Sequence, residues 1–141
     1  MPSRRTSVSS SKPVAVSAKA LPQPRFRYSP CVKAGPHYRF AGMIALDMET
    51  GALEAGGPGA ETAKILDNLL AALPELGLEL DDMVSATIYT TAFDRFPAIN
   101  EAWEAVFSEG VRPPARTAVG VQALPLGATV EIGFEFYRET A

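Results

Sequence analysis

The segment Val130-Glu131-Ile132-Gly133-Phe134-Glu135-Phe136 alternates apolar and non-apolar residues without a break. Alternate residues of a strand share a face, so this segment reads as a strand with one apolar side and one wet side. Such a strand demands a sheet with its core on one face. Residues 84–91 repeat the pattern more weakly, with Val84, Ala86 and Ile88 against Ser85, Thr87 and Tyr89. Two helical segments supply the opposing layer. The first is predicted from about 60 to 76, where Ile65, Leu66, Leu69, Leu70, Leu73 and Leu76 form one stripe. Pro58 suits a first helical position, and Gly77 is placed to end the helix. Pro74 lacks an N–H and clashes one turn back, which predicts a kink or an early end there. The second helix, near 96–108, buries Phe96, Ile99, Trp103, Val106 and Phe107, with Asp94 as its cap.

Residues 28–33 and 38–46 read as two strands joined by Ala34-Gly35-Pro36-His37. A turn at Asp47-Met48-Glu49-Thr50-Gly51 leads to a short strand at 52–54. Residues 114–122 form a further strand, read as the hairpin partner of 130–136. Arg116, Ala118, Gly120 and Gln122 then share one face, and Thr117, Val119 and Val121 the other. If the apolar faces share a core, Arg116 and Glu131 point to the same wet side over a floor of Ala and Gly. A cation, a carboxylate and bare backbone make a site for a small carboxylate-bearing ligand. The order β-β-(β)-α-β-α-β-β predicts an α+β fold, a mixed sheet with two helices on one face. The other face needs covering, which predicts a cyclic homo-oligomer packed sheet to sheet, with clefts at the subunit boundaries.

At 141 residues, of which 47% are hydrophobic, one domain with a real core is expected. The net charge of −3 is uneven. Residues 1–27 hold six basic side chains and no acid, so the rest of the chain carries −9. An acidic body argues against nucleic acid as a partner, because phosphate binding needs clustered Lys and Arg. Residues 1–26, rich in Ser, Pro and basic residues, read as a disordered tail before a domain at 27–141. The tail's composition also suits an organelle transit peptide; a solvated tail on a cytoplasmic protein is the plainer reading. No apolar run approaches the ~20 residues that span a membrane. One cysteine and one histidine exclude an internal disulfide, a cysteine zinc cluster and multi-histidine metal sites. No metal or cofactor is implied.

Tyr28-Ser-Pro, Phe40-Ala-Gly42-Met-Ile, Asp47-Met-Glu-Thr-Gly51, Asn100-Glu101, Pro114-Ala-Arg116-Thr and Leu124-Pro-Leu-Gly-Ala-Thr-Val-Glu131-Ile occur in this order. Together they resemble the YjgF/RidA family, also known as endoribonuclease L-PSP, over about residues 27–138. The resemblance implies a chorismate-mutase-like fold and a homotrimer, a barrel with sheets inside, helices outside and three clefts between subunits. It implies hydrolysis of reactive enamines and imines, such as 2-aminoacrylate, to a 2-keto acid and ammonia, without a cofactor. The family's carboxylate-gripping arginine falls on Arg116 and its water-positioning glutamate on Glu131. Its cleft tyrosine falls on Tyr28, the glycine of its Ser-Gly pair on Gly42, and its cleft asparagine on Asn100. The family's serine, glutamine and cysteine are here Ala41, Met43 and Ala118, which implies a bulkier or less polar substrate, or weak activity.

The residues leave other readings open. A guanidinium matches a carboxylate as a flat fork, and a nearby carboxylate can orient a water or accept its proton. Arg116 and Glu131 can equally serve structural ion pairs. Tyr28 can wall a cleft by packing alone, and Asn100 near a helix start can cap backbone. Trp103 and the phenylalanines of its helix read as core, Cys31 as a small strand residue and His37 as solvated. A non-catalytic trimer binding small carboxylates or a protein partner is the second hypothesis, and a ribonuclease the third.

Overall fold

The computed structural model describes residues 12–139. Strands β1 (Val14–Val16), β2 (Cys31–Ala34) and β3 (His37–Phe40) come first; helix α1 (Pro58–Leu76), strand β4 (Met83–Thr90) and helix α2 (Phe96–Val106) follow, and strands β5 (Ala115–Gly120) and β6 (Val130–Tyr137) close the chain. They make one six-stranded sheet in the order β1-β2-β3-β6-β4-β5. All neighbours are antiparallel except β4 and β5, which are parallel. Both helices pack on one face, as the amphipathic stripes require. Val130, Ile132, Phe134 and Phe136 of β6 are buried with Ile65, Leu66, Leu69 and Leu73 of α1 and with Ile99 and Trp103 of α2.

The ends of α1 follow local chemistry. Pro58 sits in its first turn, where a missing N–H costs nothing. Gly77 closes it at φ 72°, a left-handed conformation that glycine reaches without a Cβ penalty, and its N–H bonds back to the Pro74 carbonyl at 3.2 Å. The helix does not end early at Pro74; it runs on to Leu76. Asp94 is not the cap of α2. It lies in a 3-10 turn (Phe93–Arg95), the N-cap is Arg95, and no side chain caps that end.

Three expectations need correction. First, β5 and β6 are not a hairpin. β4 lies between them, parallel to β5 and antiparallel to β6. The connection between β5 and β6 includes a 3-10 turn (Pro125–Gly127) and carries the chain past β4. Second, the N-terminal segment is not wholly a tail. β1 pairs with β2, and Ala18 and Leu21 are buried in the core cluster. The Glu75 side chain accepts the Lys19 N–H at 2.8 Å and the Ala20 N–H at 3.3 Å, tying this segment to the end of α1. Apolar residues too sparse to show a period still find a groove in the fold. Residues 1–11 lie outside the described residues. Third, Val84 is exposed and Met83 takes the core position, because the β4–β6 register shifts between Met83 and Ser85.

No helix among the described residues is long and apolar enough to cross a membrane.

Candidate active site

The sheet separates the two residues that the alternation expected to meet. Along β4, Arg116 pairs with Ala86 and Glu131 with Tyr89. Laterally paired residues share a face. Ala86 faces the buried helix side, so Arg116, Ala118 and Gly120 face it too. Tyr89, Thr87 and Ser85 face the open side, with Glu131, Gly133 and Glu135. Two strand spacings and three residues along the strand put the Arg116 and Glu131 Cα atoms roughly 14 Å apart, with side chains on opposite faces. The shared wet side is therefore wrong for one chain. The alternation of β5 holds, but the side that carries Arg116 faces the helices rather than the open side that carries Glu131. β5 is an edge strand exposed at all six residues. Its small side faces the aromatics around α2: a Cβ on Gly120 would lie 3.4 Å from the Phe93 ring.

The first half of the site centres on Arg116. Its Nη2 donates to Asn100 Oδ1 at 2.9 Å. Its guanidinium carbon lies 5.5 Å from the Phe96 ring centre and 5.3 Å from that of Trp103. Aromatic faces attract a guanidinium and leave its edge free for hydrogen bonds. Asn100 thus holds Arg116 rather than capping backbone. Trp103 is core, as read, and it is also the floor beneath the cation. No acidic side chain pairs with Arg116 among the described residues. Ala118 lies two residues along the same side of β5 and brings no polar group.

The second half centres on Glu131. A two-way bridge between Met43 and Ile132, with N–H to O distances of 2.8 and 2.9 Å, lays the segment 41–43 against β6. Gly42 then touches the Glu131 side chain: a Cβ there would collide with the carboxylate, 2.8 Å from Cδ and 3.0 Å from Cγ. Only glycine leaves that carboxylate its place. Burial raises the Glu131 pKa above the ordinary carboxylate range. Upstream, Glu61 of α1 is buried and fixes the start of β6. It accepts the Thr129 N–H at 2.8 Å, the Thr129 hydroxyl at 2.7 Å and the Val130 N–H at 3.2 Å. Sequence reasoning passed over Glu61, because an acid in a first helical turn usually reads as solvated.

Two cavities meet at Glu131, Ala41 and Gly42. One, of about 330 Å³, is polar, with Arg39, Ser85, Thr87, Tyr89 and Glu135 in its wall. The other, of about 350 Å³, is mainly apolar and includes Phe26, Tyr28, Met43, Pro125 and Leu126. Tyr28, Ala41, Gly42 and Glu131 are therefore brought together, and so are Arg116, Asn100 and Ala118, but one chain keeps the two groups apart. Among the described residues no group of three or more His, Cys, Asp and Glu side chains is placed to hold a metal. Cys31 is fully buried, and burial pushes its thiol up to about 12, consistent with a packing role.

The same fold recurs in known proteins. The family model for endoribonuclease L-PSP matches residues 18–135. The 2-iminobutanoate/2-iminopropanoate deaminase of Dermatophagoides farinae is 32% identical over 117 residues, 83% of this chain and 90% of that protein. RidA from the Antarctic bacterium Psychrobacter sp. PAMC 21119 superposes with a TM-score of 0.80 at 32% identity, over 88% of this chain and 98% of that one. TdcF of E. coli, solved with bound serine, superposes with a TM-score of 0.82 at 25% identity, over 89% and 99%. A match across most of the chain, together with the same two-helix, mixed-sheet fold, makes this protein a member of the endoribonuclease L-PSP family, the YjgF/RidA family its motifs resemble.

Proposed function

We propose that this protein hydrolyses small 2-imino acids to the 2-keto acid and ammonia, at a cleft completed by a second copy of the chain. The observation that carries the proposal is the state of Arg116. It is stacked on two aromatic rings, steered by Asn100 and without an acidic partner among the described residues. A cation set up in this way is a receptor for a carboxylate. The names of two relatives agree in kind: one is a deaminase of 2-imino acids, and one was solved with serine, which also carries a carboxylate.

The chemistry asks little of the protein. The Arg116 fork binds the substrate's carboxylate in a fixed plane. Glu131 of the neighbouring copy orients a water toward the C=N carbon and takes one of its protons. The water oxygen bonds to that carbon while Glu131 returns this proton to nitrogen, giving a carbinolamine. The carbinolamine hydroxyl then gives up its proton, which Glu131 passes to nitrogen as the carbon–nitrogen bond breaks, leaving the 2-keto acid and ammonia. Burial raises the Glu131 pKa, which strengthens this carboxylate as a proton acceptor. The open sheet face bearing Thr87, Tyr89 and Glu131 is the surface that neighbouring copies would cover. The family resemblance implies three copies in a closed ring, which would supply one Arg116–Glu131 pair at each boundary.

The test generates imines in situ with an amino-acid oxidase and measures the imine that escapes semicarbazide capture. Wild type should lower captured imine, and Arg116→Ala should restore it to the protein-free level. Equal capture with wild type, variant and no protein refutes hydrolysis. Arg116-dependent binding of 2-keto acids without turnover would instead support the carboxylate-binding alternative, which the apolar Ala41 and Ala118 favour.

A further inference from the structure

The second half-site has an unusual asymmetry. Glu131 stands at the junction of a polar cavity and an apolar one. The rim of the apolar cavity carries three large side chains that a soluble surface would normally bury: Phe26 is 80% exposed, Tyr28 51% and Leu126 55%. Leu126 also sits at φ 58°, the one non-glycine residue with positive φ among the described residues. Asparagine or glycine ordinarily fills such a position, and a leucine held there marks backbone strain of the kind that collects at functional sites. The turn pins it: Leu126 lies inside the 3-10 turn before β6, and the Ala128 N–H closes that turn on the Pro125 carbonyl at 3.0 Å. The strained backbone thus presents an isobutyl group to the same space as Phe26 and Tyr28.

Resting on the hydrolytic reading above, we propose that this apolar cavity receives the side chain of the substrate, and that the protein prefers 2-imino acids with a bulky apolar side chain over those with a methyl or hydroxymethyl group. The geometry assigns each substituent a direction. The carboxylate goes to Arg116 of the neighbouring copy, and the reacting carbon lies by Glu131. Water enters from the polar side, past Thr87 and Tyr89. The remaining substituent has the apolar cavity left to it, and about 350 Å³ holds a branched or aromatic side chain. Leu126 is then a specificity residue acting by contact, not a catalytic one.

The experiment compares imines made from leucine and from alanine by the same oxidase, with catalase present. Each extra methylene in a fitting apolar pocket is worth roughly tenfold or more in kcat/KM. Three extra carbons should therefore favour the leucine-derived imine by on the order of 1,000-fold. Leu126→Asn keeps a residue suited to the left-handed backbone and removes the apolar contact, so that ratio should fall about tenfold or more. A wild-type ratio near one, or a ratio unmoved in Leu126→Asn, overturns the proposal while hydrolysis itself stands. An altered oligomeric state in Leu126→Asn on gel filtration also overturns it, since Leu126 would then be an interface residue. If neither imine is hydrolysed, the functional reading fails separately, and calorimetry still decides the cavity's preference. Tighter binding of 4-methyl-2-oxopentanoate than of pyruvate supports it, and equal binding refutes it.

Discussion

A site divided between copies can be tested by mixing variants that are each inactive. On the proposed reading Arg116→Ala removes the carboxylate receptor, and Glu131→Gln removes the proton acceptor, a loss on the order of 10²–10⁴-fold. In one chain these side chains lie on opposite faces of the sheet, set by the pairs Ala86–Arg116 and Tyr89–Glu131. A functional pair must then take its arginine from one copy and its glutamate from the next. If the two variants are refolded together in equal amounts and assemble at random, about one boundary in four joins an intact Arg116 to an intact Glu131. The mixture should recover about a quarter of wild-type activity, while each variant alone stays near zero. A second mixture sharpens the result. Wild type refolded with an equal amount of the double variant also gives about a quarter if the pair is shared, but about half if both residues act within one chain. Activity is read as imine escaping semicarbazide capture, and native mass spectrometry verifies that mixed assemblies formed. Verified mixing with no recovery between the single variants would refute the divided site.

Gly42→Ala should leave the fold intact and cut kcat on the order of 100-fold, because the added Cβ occupies the place of the Glu131 carboxylate and turns it aside. Wild-type kcat in that variant, with circular dichroism unchanged, would contradict the assigned contact. Glu131→Gln should change stability in a pH-dependent way. The Glu131 pKa is raised by burial, so the folded state holds the proton more tightly than the unfolded state does. Its contribution is most favourable below the unfolded pKa and is lost as pH rises through the folded pKa. The variant should therefore melt higher than wild type at about pH 8, with the gap closing toward about pH 4; a gap independent of pH would count against the desolvated carboxylate.

Much of the fold is legible in hydrophobic period alone. The α1 stripe, the alternation of β6 and the stop at Gly77 all read correctly, because each is a local pattern enforced by one buried face. Strand adjacency is different. Alternation says which residues of β5 share a side, but not which side meets the helices or which strand lies next door. A hairpin was the short-range solution for β5 and β6, and β4 displaced it by pairing with both. The same long-range fact moved Arg116 to the helix side. The residues that tune the site left weaker traces still. Phe26 and Leu126 sit in segments without a period, and Glu61 looks like any acid in a first turn until its three hydrogen bonds to Thr129 and Val130 are seen.

β5 is the last strand of the sheet, and it carries Arg116. Its outer rim offers unsatisfied main-chain donors and acceptors, the kind of border that invites a foreign strand. If neighbouring copies shelter this border, solubility and chemistry depend on the same embrace. Dilution below the assembly threshold would then silence the proposed hydrolysis and bare an adhesive flank together, so a cell would have to keep the protein abundant enough to stay whole.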